Sequence, residues 1–488
     1  MTQYLQLARD VIVSGIKSAQ LDPALPRFGG YVFFTENGAS PQELRALTDA
    51  LRAREEEMAA PPPILAIDQE GGRVARLRDD VESMPPMMAL GAAGNLELAQ
   101  RAGEQIAFDL RRAGCTLDFA PVLDLALDPK NTVIGTRSFG DDPTRVAELG
   151  MAVAHGLRNG GILPCYKHFP GHGSTAVDSH DALPVVDADE ATLRDADLVP
   201  FAAIAAEAIA MMTGHLRVTA FDSQHPATLS PRIATQLVRD ELGFRGTLFS
   251  DCLEMRALPA HASPQTAVAA LAAGVDLLIF SHDSDAAAAA ADVIAKSVEG
   301  GDLPLHRLQA AHQRAERLRS HASAPLELDA FPPHPTLGRE IARNAVTLVR
   351  GIGHADPLAS IVIAFGENGT ALRHEAPALQ EITVALEPQP ADVRRILDGI
   401  ENSQRRPLLL THRAHLYPAQ ADAVAAIMAG YPDALAVSTA EPFDLPLFPQ
   451  ARHLLACYGN DLASIGGLAD VLFGGSMPSG RLPVSLSW

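Results

Sequence analysis

Eight short apolar runs, each followed by a helix-forming segment, pace the first 320 residues and restrict what this chain can fold into. They read VIVSG, YVFF, ILAID, TLDFAPV, ILPCYKHF, AIAMMTGHL, GTLFSD and VDLLIF. Between them lie Ala/Leu/Arg-rich stretches such as PQELRALTDALRAREEEM and RVAELGMAVAHGLRNG. Parallel strands need long crossover connections, and a helix is the usual one. Eight such units predict a (β/α)8 TIM-type barrel rather than an open sheet.

The pattern breaks at HASAPLELDAFPPHPTLGRE, a proline-bearing stretch that reads as an interdomain linker. A chain of 488 residues also exceeds what one hydrophobic core usually supports. We place the barrel at residues 1–322, the linker at 323–338 and a second domain at 339–488. In that domain AVTLVR, SIVIAFG, ITVAL, RPLLLTH, ALAVST and HLLACYG again alternate with helical segments. It is too short for another barrel, so a three-layer α/β sandwich is predicted. The run DAAAAAAD reads as plain helix.

Charge narrows the partners. A formal net charge of −20 argues against nucleic acid and anionic membrane surfaces, so neither is expected. The N-terminal MTQYLQLARDVIVSG lacks a basic start and a long apolar run, and no segment is long and apolar enough to span a bilayer. The cysteines Cys115, Cys165, Cys252 and Cys457 are scattered without a CxxC, which predicts reduced thiols and a cytoplasmic location.

Polar residues close several of the apolar runs: Asp68 ends ILAID, Asp124 follows FAPVL, Lys167 and His168 end the fifth run, His215 the sixth and Asp251 the seventh. In a barrel these positions share one rim, where active sites are built. Within IDQEGGRVARL, Asp68 suits two vicinal hydroxyls, or else the start of a helix. Within GTRSFG, Arg137 suits a ligand carbonyl or carboxylate, or a bridge between loops. In FSDCLEM, Asp251 can serve as nucleophile, base or helix cap.

The densest stretch is YKHFPGHGSTAVDSH. Lys167 and His168 end a strand, a Pro-Gly turn follows, and Asp178 and His180 stand two residues apart. In extended backbone such a pair shares one side, and a carboxylate beside an imidazole raises its basicity for proton transfer. His168, His172 and His180 lie close in sequence, yet no zinc spacing such as HExxH is present, so no metal is expected. A phosphate loop fits less well still, since the GK[ST] ending is missing.

The set DQEGGR, GTRSFG, KHFPGHG, DSH and FSD resembles glycoside hydrolase family 3, in particular its β-N-acetylglucosaminidase branch, along residues 10–290. The closing LADVLFGGSMPSGRLPVSLS is similar to the end of the second domain in two-domain members. The resemblance implies a retaining hydrolase for terminal β-linked N-acetylglucosamine, working on peptidoglycan- or chitin-derived fragments without a cofactor. It makes Asp251 the nucleophile, His180 the general acid/base and Asp178 its partner. Asp68, Arg76, Arg137, Lys167 and His168 match residues that hold the sugar. A small carbohydrate is then the partner, and the enzyme a monomer or homodimer. The same residues would also serve a phosphorylase, because a histidine acid/base does not repel phosphate as a carboxylate would. Three departures stand out: Cys252 beside the nucleophile, Ser174 where Asp or Ala is frequent, and a short region before the first strand.

Overall fold

A computed structural model describes residues 3–175, 182–258, 263–322, 333–366 and 369–488. Its first part is built on parallel strands β1 (Ile12–Gly15), β2 (Gly30–Phe33), β3 (Ile64–Ile67), β4 (Leu117–Asp118), β5 (Leu163–Pro164), β6 (Tyr166–Phe169), β7 (Ala210–Thr213), β8 (Thr247–Cys252) and β9 (Leu277–Phe280). They pair in the order β5-β4-β3-β2-β1-β9-β8-β7-β6. The pieces β5 and β6 are one run, ILPCYKHF, divided at Cys165. Cys165 N–H donates to the carbonyls of Asp118 (2.9 Å) and Ala120 (3.0 Å), and Lys167 bridges in parallel to Val122, so the sheet closes on itself. All eight predicted runs therefore become barrel strands.

These strands are buried on both faces, which is why they read as continuous apolar runs and not as alternation. The crossover helices carry their own start signals. Ser40 and Glu43 form a capping box ahead of Pro41–Glu57, and Asp142 caps Pro143–Asn159. The alanine run lies in the helix Ser284–Gly300, capped by Asp283, with Ala287, Ala290, Ala291, Ile294 and Ala295 turned inward at helical spacing. At the opposite end from the polar rim, Asp276 is ion-paired to Arg239, Arg307 and Arg314. That end of a barrel serves stability.

The second part holds strands β10 (Thr347–Arg350), β11 (Ser360–Phe365), β12 (Gln380–Val384), β13 (Arg406–Thr411), β14 (Leu435–Ser438) and β15 (His453–Ala456), in the order β10-β15-β14-β13-β11-β12. Only the β10–β15 pair among them is antiparallel. Alternation along β11 sorts its side chains to two layers. Ile361, Ile363 and Phe365 join the core containing Ile396, Ile400, Val424 and Ile427, whereas Val362 and Ala364 join Leu372, Ile465, Leu468 and Leu472. Helices thus cover both faces, and the domain is the expected three-layer sandwich. Residues 323–332 of the predicted linker lie outside the described residues; the helix Leu337–Ala345 takes in the last two residues of the predicted linker, 337 and 338. Among the described residues no helix is long and apolar enough to cross a membrane.

Candidate active site

At the C-terminal ends of the barrel strands lies a cavity of about 360 Å³. Val32, Phe119, Met212 and Ile279 give it an apolar floor, and Asp68, Glu70, Arg76, Arg137, Lys167, His168, His172 and Asp251 line it. The volume falls near the lower bound of small-molecule sites, about 300–1,000 Å³.

A chain of charge-assisted hydrogen bonds runs along one wall. Lys167 Nζ donates to Asp68 Oδ1 at 2.7 Å and lies 2.6 Å from Glu70 Oε1. Glu70 in turn takes both prongs of the Arg137 fork, Nε on Oε2 and Nη2 on Oε1, each at 2.7 Å. Arg76 Nη2 reaches Asp68 Oδ2 at 3.5 Å, with its guanidinium over the Phe34 ring. Burial by itself would raise the pKa of Glu70, but the Arg137 and Lys167 cations hold it far below the carboxylate range. Burial would likewise lower that of Lys167, and Asp68 and Glu70 overcome this to keep the ammonium charged.

Local sequence explains the wall. After Asp68 the chain forms no helix but a hairpin, Gln69–Gly71 against Val74–Ala75, turned by Gly71 (φ 97°) and Gly72 (φ 54°). The helix-start alternative for Asp68 therefore falls. Gln69 fixes the hairpin: its N–H donates to Asp118 Oδ1 (2.9 Å), and its Oε1 accepts from Arg76 N–H (2.8 Å) and Leu77 N–H (3.0 Å).

Across the cavity, His168 Nδ1 lies 2.6 Å from Asp124 Oδ2. A carboxylate only accepts, so Nδ1 carries a proton and Nε2 is left for another partner. Asp124 also accepts backbone N–H groups of His168 (3.2 Å) and His172 (2.7 Å). Burial opposes its ionisation, but His168 and these donors hold its pKa below the ordinary value. The His172 ring finds no hydrogen-bond partner among the described residues, and burial lowers its pKa.

Asp251 sits near the end of β8, and its Oδ1 accepts Cys252 N–H at 2.7 Å. Turns follow rather than a helix, which removes the helix-cap alternative. Burial works against its charge, yet His215, His168, the Cys252 N–H and Lys167 bring its pKa below the usual carboxylate value. Asp251 is thus an ionised carboxylate facing the cavity. His215 is itself fixed, Nδ1 on Thr228 Oγ1 and Nε2 on the Cys252 carbonyl, each at 2.8 Å. Beside them, Cys252 Sγ donates to Glu254 Oε2 at 3.4 Å.

Six of the eight site residues expected from the sequence, Asp68, Arg76, Arg137, Lys167, His168 and Asp251, line this one cavity. Asp178 and His180 lie outside the described residues. Arg137, expected to meet a ligand or bridge two loops, bridges to Glu70. Sequence reasoning gave Glu70 no role. The signal was present, because Glu70 is two residues beyond Asp68 and in extended backbone the pair faces one side. Asp124, noted only as a polar strand-following residue, proves to be the anchor of His168.

Together, a parallel barrel, an ionised carboxylate and a wall of cation-backed acceptors at the strand C-termini define a barrel enzyme with a small polar site. Residues 17–318 match the glycosyl hydrolase family 3 N-terminal domain, and the chain belongs to glycosyl hydrolase family 3. It is 38% identical over 341 residues to a β-hexosaminidase of Thiobacillus denitrificans, covering 67% of this chain and 88% of that protein. It is 34% identical over 361 residues to β-hexosaminidase A of Pseudoalteromonas piscicida, covering 67% of this chain but 60% of that longer relative. A solved family 3 β-N-acetylglucosaminidase from a Paenibacillus species superposes over 99% of both chains, with a TM-score of 0.91 and 30% identity.

Proposed function

We propose that this chain is an exo-acting, retaining β-N-acetylglucosaminidase that releases terminal β-linked N-acetylglucosamine. The observation that carries the reading is the ionised Asp251 facing the Asp68–Lys167–Glu70–Arg137 wall in a cavity of about 360 Å³. So small a space suits one terminal sugar unit. The β-hexosaminidase relatives and the whole-length match to a β-N-acetylglucosaminidase support the choice of sugar.

In this reading Asp68 accepts hydrogen bonds from two sugar hydroxyls, while Lys167, Arg76 and Arg137 donate to sugar oxygens and His168 Nε2 makes a further hydrogen bond to the sugar. The carboxylate of Asp251 attacks the anomeric carbon as the glycosidic bond breaks. His180, supported by Asp178, gives its proton to the departing oxygen. Water then attacks the glycosyl-enzyme, His180 takes its proton, and the sugar leaves with its anomeric configuration retained. His215 first, then His168 and Lys167, favour the charged Asp251 needed for attack. The units behind this chemistry are a barrel at 1–322, a linker at 323–338 and a second domain at 339–488. Peptidoglycan- or chitin-derived fragments in the cytoplasm are the proposed substrates, with the enzyme acting as a monomer or homodimer.

The test is product analysis on an aryl β-N-acetylglucosaminide, chitobiose and a muropeptide, with and without phosphate. Release of N-acetylglucosamine as the β-anomer is expected, and Asp251→Ala should lower kcat by roughly 10³-fold or more. Sugar-1-phosphate as the main product would convert the reading to a phosphorylase. An Asp251→Ala enzyme as active as wild type would remove it.

A further inference from the structure

The second domain touches the barrel rim through the stretch LTHRAHLYP, at the C-terminal end of β13, and through Glu441 beyond β14. Among the described residues, the hydrogen bonds that Glu441 and His415 make to the barrel fall on one loop, residues 129–137. Glu441 is 3% exposed and takes the fork of Arg413, Nε on Oε2 at 2.7 Å and Nη2 on Oε1 at 2.8 Å. The same Oε1 accepts Thr136 N–H at 2.9 Å. Gly135, at φ 45°, makes room for it: a Cβ there would lie 1.9 Å from Glu441 Oε1. His415 Nε2 donates to the Pro129 carbonyl at 2.9 Å.

From the barrel side, Arg73 Nη2 donates to the carbonyls of Thr132 and Val133, each at 2.6 Å. Asn131 spans the loop, its Oδ1 accepting Val133 N–H (3.1 Å) and Ile134 N–H (3.0 Å) while Nδ2 donates to the His172 carbonyl (2.8 Å). The loop ends in Arg137, whose fork closes on Glu70 and through it on Lys167. The Arg413–Glu441 pair thus reaches, through the Thr136 N–H and the backbone to Arg137, the ion-paired series Arg137–Glu70–Lys167–Asp68.

We infer that Glu441, with Arg413 and His415 behind it, is a positioning residue: the second domain sets the 129–137 loop and thereby aims Arg137 at the sugar. A loop held only from the barrel side would leave Thr136 N–H and the Pro129 carbonyl to water and give Arg137 a wider choice of positions. A charged fork is directional, so a displacement near 1 Å costs it most of its worth in binding. The inference rests on the reading of Arg137 as a sugar contact.

The experiment compares the full-length wild type with E441A, E441Q, R137A and E441A/R137A. E441A should weaken N-acetylglucosamine binding in a calorimeter by about ten-fold, raise KM on an aryl glycoside to match, and leave kcat within about three-fold. E441Q, which keeps an oxygen for Thr136 N–H, should recover much of the loss. In the R137A background E441A should add nothing, since both act through one guanidinium. An effect of undiminished size in that background, or E441A binding as wild type does, overturns the inference. Should E441A fail to fold, E441D, whose carboxylate is shorter by one methylene, takes its place in the cycle and carries the same two outcomes. Hydrogen exchange over residues 129–137 needs no substrate: it should quicken in E441Q and E441A, and unchanged exchange overturns the inference. Should the wild type cleave no N-acetylglucosaminide, the proposed activity falls, and exchange alone still decides whether Glu441 holds the loop.

Discussion

Replacing Glu70 by alanine removes the one carboxylate shared by Lys167 and Arg137. Their side chains are 3% and 11% exposed, and Asp68, at 19%, is the only acid left bonded to Lys167 among the described residues. Taking one partner from a buried ion pair costs about 3–5 kcal/mol, because the remaining charge is stranded. Unfolding entropy of about 2.1 cal/mol/K per residue, over a unit of roughly 300 residues, converts this to a melting-point drop of about 5–8 °C. Glu70→Gln keeps an acceptor oxygen for one cation and should lose about half as much.

The pH dependence fixes the sign. The folded-state pKa of Glu70 is depressed below its ordinary 4.5, so its contribution is fully present above that pH and is lost as pH falls further. Thermal melts and urea titrations followed by circular dichroism should therefore show the largest gap between wild type and Glu70→Ala at neutral pH. The gap should narrow as the solution is acidified below 4.5. A variant within about 1 kcal/mol of wild type at neutral pH, or a gap that widens on acidification, would refute the reasoning.

Two further outcomes follow from the surroundings of the site. Asp197 is buried, accepts from Ser174 Oγ at 3.1 Å, and burial pushes its pKa up from 3.8 to about 6. The folded state then holds the extra proton between those values, so this residue favours folding as pH falls through that window and opposes it above. Asp197→Asn should raise neutral-pH stability by up to about 3 kcal/mol and flatten the profile across the window; parallel wild-type and variant profiles would count against this. Burial also pushes the Cys252 thiol up to about 12, so it stays protonated beside Asp251. Iodoacetamide should label it far more slowly than a free cysteine of pKa about 8.5. Cys252→Ser should keep kcat/KM within roughly three-fold of wild type; rapid labelling followed by mass spectrometry would contradict the protonated state.

Periodicity exposed the fold because each barrel strand is buried on both faces and each crossover helix on one, so the strand runs and helical stripes are written locally. That is why ILPCYKHF was legible as a strand even though the chain divides it at Cys165. The residues Asp68, Lys167, His168 and Asp251 were legible as rim groups for the same reason: each lies in, or directly after, an apolar run. Their chemistry was not. Asp68 and Asp251 each kept a helix alternative that only the hairpin and the turns behind them removed.

Pairing was decided in three dimensions. Lys167 meets Asp68 across 99 positions of sequence, Arg137 meets Glu70 across 67, and Thr136 meets Glu441 across 305. No local pattern encodes such distances, since barrel closure and domain docking alone bring the groups within hydrogen-bond reach. In LTHRAHLYP, Arg413 finds its partner 28 positions away in Glu441 of the same domain, and His415 finds the Pro129 carbonyl on the barrel. The amino-acid order by itself determined the elements and which polar residues reach the rim. The tertiary structure decided which charges neutralise one another there, because short-range electrostatic bonds depend on separations in space.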